Sequence, residues 1–151
     1  MTVYCDTGVL VKSYVFESNS PEAIALLDAA GLPLAISHFH AVEIPNAIRL
    51  KRFRKDITAA QEAESLRAFQ ADVDAGRLAY LTYDLAAVFI RASSLSAKYS
   101  NTLGTRSLDI LHVAAALEAE CVEFISFDER QRKLAAKEGL KVSPRKPPSI
   151  R

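Results

Sequence analysis

The chain has 151 residues, half of them hydrophobic and a quarter charged, with a formal net charge of +1. That length and apolar content suit one globular domain with an ample core, and the near-neutral balance excludes blanket electrostatic attraction to nucleic acid, so any polyanion contact has to come from a local patch. Two cysteines, Cys5 and Cys121, are too few for a disulfide scaffold or a four-thiolate zinc site and read as buried free thiols in a reducing cytosol. With no charged, apolar leader and no apolar run of bilayer length, a cytoplasmic protein without membrane contact is expected.

Thr2 to Cys5 reads as a short strand ended by Asp6 and followed by a helical pattern from Val9 to Phe16. Ser20 with Pro21 marks the start of a helix that stops at Gly31. Leu32 to Ser37 predicts a second strand, and Ser37 can cap a helix that carries Glu43 and runs towards Arg54. Pro45 removes a backbone hydrogen bond from that helix, which predicts a kink or a late start near Glu43. Thr58 and Gln61 form a capping box, and Ala63, Leu66, Phe69 and Val73 recur at helical spacing until Gly76.

Leu78 to Thr82 is the next strand, Asp84 a cap, and Leu85 to about Tyr99 another helix, followed by a polar loop, SNTLGT. A helix starting near Ser107 carries Asp109 in its first turn, a strand begins at about Cys121, and Asp128 stands where that strand should end. The helix ERQRKLAAKE then runs to Gly139, and Leu140 to Ser143 is a last strand. Residues 1–143 are read as one domain and 144–151 as a basic, proline-rich, poorly ordered tail. Alternating strands and helices predict a three-layer α/β/α sandwich with a central, mostly parallel twisted sheet. In such a sheet, ligands bind outside the carboxyl ends of the strands, so Asp6 and Asp128 come to lie side by side if their strands are parallel neighbours.

Each acid also has a structural explanation. Asp6 and Asp128 can be helix N-caps, Asp128 with Gln131 matching a capping box; Asp109 can favour the positive end of its helix; Glu43 can be one more helical acid. Against this, Glu43 lies among Phe39, Val42, Ile44 and Ile48, and Asp109 precedes Ile110, Leu111 and VAAAL. Converging carboxylates in apolar company repel unless a cation stands between them. An oxygen-only set suits a hard ion such as Mg²⁺ or Mn²⁺ and not zinc, and such an ion can drive phosphodiester hydrolysis.

The pieces VYCDTGVLVKSY, AVEIPNAI, TRSLDILHVAAAL and ISFDERQRKLAAKEGL resemble the four acidic motifs of the PIN domain family, in family order, and the chain is most similar to single-domain VapC-type toxins. The resemblance implies a Mg²⁺-dependent ribonuclease with Asp6, Glu43, Asp109 and Asp128 as metal-binding, catalytic carboxylates. It also implies that the hydroxyls of Thr7 and Ser126 help shape the site, that the protein is a homodimer, and that a small cognate antitoxin covers the acidic pocket. His112, one turn after Asp109, reads as a packed histidine holding its helix to the sheet, with a ligand or proton carrier as the alternative, and His38 and His40 read as residues at the surface or just behind the site, without a role.

RLKRFRK, with Arg49, Lys51, Arg52 and Arg54, reads either as a solvated helix end or as an RNA phosphate-binding arm beside the acids. Arg130, with Arg132 and Lys133, and Arg106 are further phosphate contacts on the second reading. Two rivals stand beside the nuclease. A haloacid dehalogenase-type phosphatase needs an acid two residues after Asp6, where Gly8 stands. The other is a catalytically inert PIN-like module that binds RNA or protein.

Overall fold

The structure is a computed structural model that describes residues 1–149. In chain order the elements are β1 (Val3–Cys5), α1 (Thr7–Val11), α2 (Ser20–Ala30), β2 (Leu34–Ile36), α3 (His38–Phe53) and α4 (Ala59–Asp74). They continue as β3 (Leu78–Tyr80), α5 (Leu85–Leu103), α6 (Ser107–Glu118), β4 (Glu123–Ile125), α7 (Glu129–Lys137) and β5 (Lys141–Ser143). The chain divides into two compact units: the first six residues with everything from Leu81 onward, and Thr7–Tyr80.

In the first unit β1 pairs in parallel with β4, and β4 with β5, in a register that sets Cys5 opposite Ile125. The alignment continues one residue further, where the Asp6 N–H donates to the Ile125 carbonyl at 2.8 Å. Tyr4 and Phe124 stack across the β1–β4 pair with ring centroids 5.4 Å apart. Over them lies α6, whose buried residues include Ile110, Val113 and the run Ala114 to Ala116; side chains this small let helix and sheet approach closely.

The polar stretch after Tyr99 departs from expectation, because Ser100–Leu103 continue α5 and Gly104 ends it at φ 66°. A left-handed C-cap costs glycine nothing, so the helix runs on until the residue that can close it. At the other end of the unit, Arg132 donates to the carbonyls of Ser126, Pro144 and Arg145. The first residues of the expected tail are therefore tied to the end of β4, while Ile150 and Arg151 lie outside the described residues.

In the second unit β2 and β3 pair in parallel, Ala35 opposite Ala79. α1 is shorter than the helical pattern to Phe16 suggests. The Ser13 hydroxyl donates to the Leu10 carbonyl at 2.7 Å, one of the local side-chain bonds that compete with helix continuation. Tyr14, beyond it, donates to Asp72 at 2.7 Å and accepts at its carbonyl from Ser65, which pins the segment to α4.

α3 begins at His38, directly after Ser37, and not near Glu43; Pro45 stands inside an unbroken helix. A proline there costs about 3 kcal/mol, but Ile44 and Ile48 on either side are fully buried, and burying two such side chains contributes about 1.5–3 kcal/mol each. His40 replaces the usual acid or amide of a capping box. Its Nδ1 accepts from the Ser37 N–H at 2.9 Å, and the ring is completely buried, so it is a capping residue and not a surface one. The Thr58–Gln61 box forms as the spacing predicts, with both reciprocal hydrogen bonds made. Among the described residues no helix is long and apolar enough to cross a membrane.

Candidate active site

Three of the four candidate acids belong to the first unit, each at the end of an element. Asp6 follows β1, Asp109 lies in the first turn of α6, and Asp128 is the N-cap of α7. Gln131, completely buried on α7, links them. Its Nε2 donates to Asp6 Oδ1 at 3.3 Å and to the Asp109 carbonyl at 3.4 Å, and its backbone N–H donates to Asp128 Oδ1 at 2.9 Å. Ser126, also completely buried, donates its hydroxyl to Gln131 Oε1 at 2.8 Å and accepts the Asp128 N–H at 3.0 Å.

The expected Asp128–Gln131 capping box is thus only half made. The backbone half is present, but the Gln131 side chain turns inward to the acids and Ser126 takes the Asp128 N–H in its place. Sequence reading assigned Gln131 a cap and missed this role. The available signal was a glutamine three residues after an acid that already had a nearby serine to satisfy its own N–H.

Arg106 forms an ion pair with one of these acids. Its Nε donates to Asp109 Oδ2 at 3.0 Å, although three-quarters of its side chain is exposed. The guanidinium is held above its usual range, first by the hydrogen bond with Asp109 and then by that acid's charge, with Asp128 and Asp6 adding to it against slight burial. One exposed arginine therefore senses all three carboxylates. Arg130 is exposed and donates to the Gly104 carbonyl at 3.3 Å, just past the end of α5. Arg132, in contrast, has its guanidinium engaged by backbone carbonyls and is no spare phosphate contact.

The core behind the acids is built on Tyr4 and His112. His112 is 1% exposed, and its Nδ1 lies 2.6 Å from the Tyr4 hydroxyl, with the rings edge to face. This is the packed histidine holding α6 to the sheet that its position suggested.

In the second unit the buried Thr7 hydroxyl donates to Glu43 Oε1 at 3.0 Å, joining the first turn of α1 to α3. The downstream cations divide by their contacts. Lys51 and Lys12 both pair with Glu17, and burial lowers the Lys51 ammonium below its usual range, with the Lys12 charge next. Lys51 is therefore a structural ion-pair member. Arg52 reaches Glu62 only at 3.9 Å, and Arg49 and Arg54 are exposed. Arg54, the C-cap of α3, stands eleven residues after Glu43, about 16 Å along the axis at 1.5 Å per residue.

Among the described residues no three or more His, Cys, Asp or Glu side chains stand grouped as ligands for one ion. The donor chemistry of the first-unit acids nonetheless suits a hard divalent cation, since Asp6, Asp109 and Asp128 offer oxygen alone. A cleft of about 370 Å³ in the first unit, lined by Phe89, Ala92, Ser93 and Ile110, and one of about 340 Å³ in the second, lined by Leu10, Tyr14, Leu27 and Asp72, include none of these acids.

The sequence model of the PIN domain matches residues 3–137. No curated protein matches the chain. Among solved structures, a toxin-antitoxin complex from Klebsiella pneumoniae is similar at TM-score 0.58 and 17% identity, over 85% of this chain and 87% of that one. FitAcB from Neisseria gonorrhoeae is similar at 0.61 and 17%, over 93% and 96%. VapBC2 from Rickettsia felis, bound to a DNA fragment from its promoter, is similar at 0.62 and 15%, over 95% and 98%. Identities this low speak for the fold alone, and the fold is the expected α/β/α type with parallel strands. PIN domains are generally nucleases, and such nucleases generally use divalent metal ions. The family match over nearly the whole chain, with the strand-end acids gathered around Gln131, makes this chain a member of the PIN domain family.

Proposed function

We propose that the protein is a Mg²⁺-dependent endoribonuclease and the toxin of a toxin-antitoxin pair. The observation that carries the reading is the buried Gln131, which ties Asp6 and the first turn of α6 to the N-cap acid of α7 within a PIN domain. Asp6, Glu43, Asp109 and Asp128 hold the ion, with Mn²⁺ able to replace Mg²⁺. When bound, the ion supplies Lewis acidity for phosphodiester hydrolysis. Thr7, which directly follows Asp6 in the chain, keeps Glu43 oriented. Ser126 fixes the backbone of Asp128.

Arg106 and Arg130 meet RNA phosphates beside the first-unit acids; in the second unit the exposed Arg49 and Arg52 of α3, and Arg54 directly after it, are further phosphate contacts. Arg106 also holds positive charge at Asp109 before metal or RNA arrives. The likeness to toxin-antitoxin complexes supports a small antitoxin as partner, and the homodimer and the cytoplasmic location are proposed on the family resemblance alone.

The test is cleavage of a mixed single-stranded and structured RNA pool with Mg²⁺, with Mn²⁺ and with chelator, beside Asp109→Asn. Metal-dependent cuts that disappear in the variant support the nuclease. Cuts that persist in chelator, or in the variant, overturn it.

A further inference from the structure

We infer that Gln131 is a positioning residue for the acidic site: its amide holds Asp6 and the start of α6 in place without bringing a charge of its own. The inference rests on the metal-dependent reading above and adds to it a residue that is not itself a ligand.

The direction of every hydrogen bond in the network follows from atom counting. The Asp128 N–H can only donate, and it occupies a lone pair of Ser126 Oγ. The one hydroxyl hydrogen of Ser126 then goes to Gln131 Oε1, 2.8 Å away. With Oε1 fixed as acceptor, Nε2 must face the other way, and its two hydrogens meet two acceptors, Asp6 Oδ1 and the Asp109 carbonyl. The amide has one orientation that satisfies all its groups, and Ser126 decides which.

Gln131 is suited to this place because it is neutral. A lysine or arginine would satisfy Asp6 as well but would neutralise the carboxylate and compete with a cation. A leucine would leave Asp6 Oδ1 and the Asp109 carbonyl without this donor. The contacts of 3.3 and 3.4 Å are long for N–H···O bonds, so the role rests on the three groups the one amide joins and not on the strength of either contact. Groups that orient metal ligands typically cost 10- to 100-fold in metal affinity when removed.

The experiment is a Mn²⁺ titration read by the electron paramagnetic resonance of free Mn²⁺, for wild type, Asp109→Asn, Gln131→Met and Ser126→Ala, each checked for folding by circular dichroism. Gln131→Met keeps length and removes both donors and acceptor. The expected result is Mn²⁺ binding about tenfold or more weaker in Gln131→Met and weakened to a smaller degree in Ser126→Ala, where the amide keeps its atoms but loses its fixed orientation. Wild-type affinity in a folded Gln131→Met, with Asp109→Asn impaired, overturns this inference and leaves the metal-dependent reading standing. No Mn²⁺ binding by the wild type overturns both.

Should the variants fail to fold, the wild type supplies the readout through nuclear magnetic resonance of its glutamine side-chain amides. The other glutamines, Gln61 and Gln70, are exposed. One pair of amide protons exchanging slowly with solvent and broadened by substoichiometric Mn²⁺ supports the inference. Three pairs exchanging alike, with none broadened, overturn it.

Discussion

The Tyr4 hydroxyl and His112 Nδ1 lie 2.6 Å apart in a core where both residues are almost fully buried, joining β1 to α6 two residues before Asp6 and one turn after Asp109. Removing the hydroxyl with Tyr4→Phe takes this partner from a buried ring nitrogen, at a cost of about 1–3 kcal/mol. For a chain of this size that corresponds to a melting temperature lower by roughly 2–4 °C per kcal/mol. Thermal unfolding followed by circular dichroism checks it, and an unchanged midpoint would show that the pair contributes nothing.

Asp6→Asn and Asp109→Asn keep side-chain volume and remove a charged oxygen. Both variants are expected to fold, because Asn can still accept from Gln131 or Arg106, yet to lose metal-dependent RNA cleavage by at least about 100-fold, the kinetic equivalent of about 2.7 kcal/mol of charge stabilisation. Cleavage rates measured with Mg²⁺ on the RNA found in the pool assay decide this. Wild-type rates in either variant remove that acid from the site.

The cations in and directly after α3 should separate by their partners. Arg52→Gln with Arg54→Gln is expected to weaken RNA binding and to lower the slope of log affinity against log salt by roughly 0.7 per lost phosphate contact. Lys51→Ala should leave that slope unchanged and reduce stability, because Lys51 pairs with Glu17. Binding isotherms across a salt series test both statements, and a reversed pattern would exchange the roles of these residues.

Cys5 and Cys121 are both buried thiols. Burial pushes the Cys5 thiol up to about 12, with the Asp6 charge next, and burial pushes Cys121 up to about 11. In the unfolded chain these thiols ionise near their ordinary value of 9.0. Above that pH the unfolded state has released protons that the folded state keeps, so stability falls as pH rises from about 9 towards 11–12. Denaturant unfolding at pH 8 and pH 10 should show the loss. At pH 8 a thiol-specific reagent should react with neither cysteine until the protein unfolds, and rapid reaction with folded protein would contradict the burial.

Local sequence determined much of this protein. The Thr58–Gln61 box, the Asp84 and Asp128 caps, the apolar strand triplets and the acids that follow two of them depend on interactions within a few residues. Such signals survive without knowledge of the rest of the chain. The four motifs that carry the PIN resemblance are of the same kind, which is why the family is legible in the sequence.

Tertiary structure decided what those local signals do with their spare atoms. Pro45 should have delayed or bent α3, yet the helix starts at His38, because buried Ile44 and Ile48 outweigh one missing hydrogen bond. The cation run after Glu43 looked uniform, but only folding could pair Lys51 with Glu17 and leave Arg54 exposed. Gln131 shows the limit most clearly. Its spacing from Asp128 specifies a cap, and the cap's backbone half forms; its side chain goes to Asp6, 125 residues away in sequence, because the parallel β1–β4 register brings that acid abreast of the end of β4 and Ser126 has already satisfied the Asp128 N–H. A partner that distant is chosen by packing and register, and no local pattern encodes it.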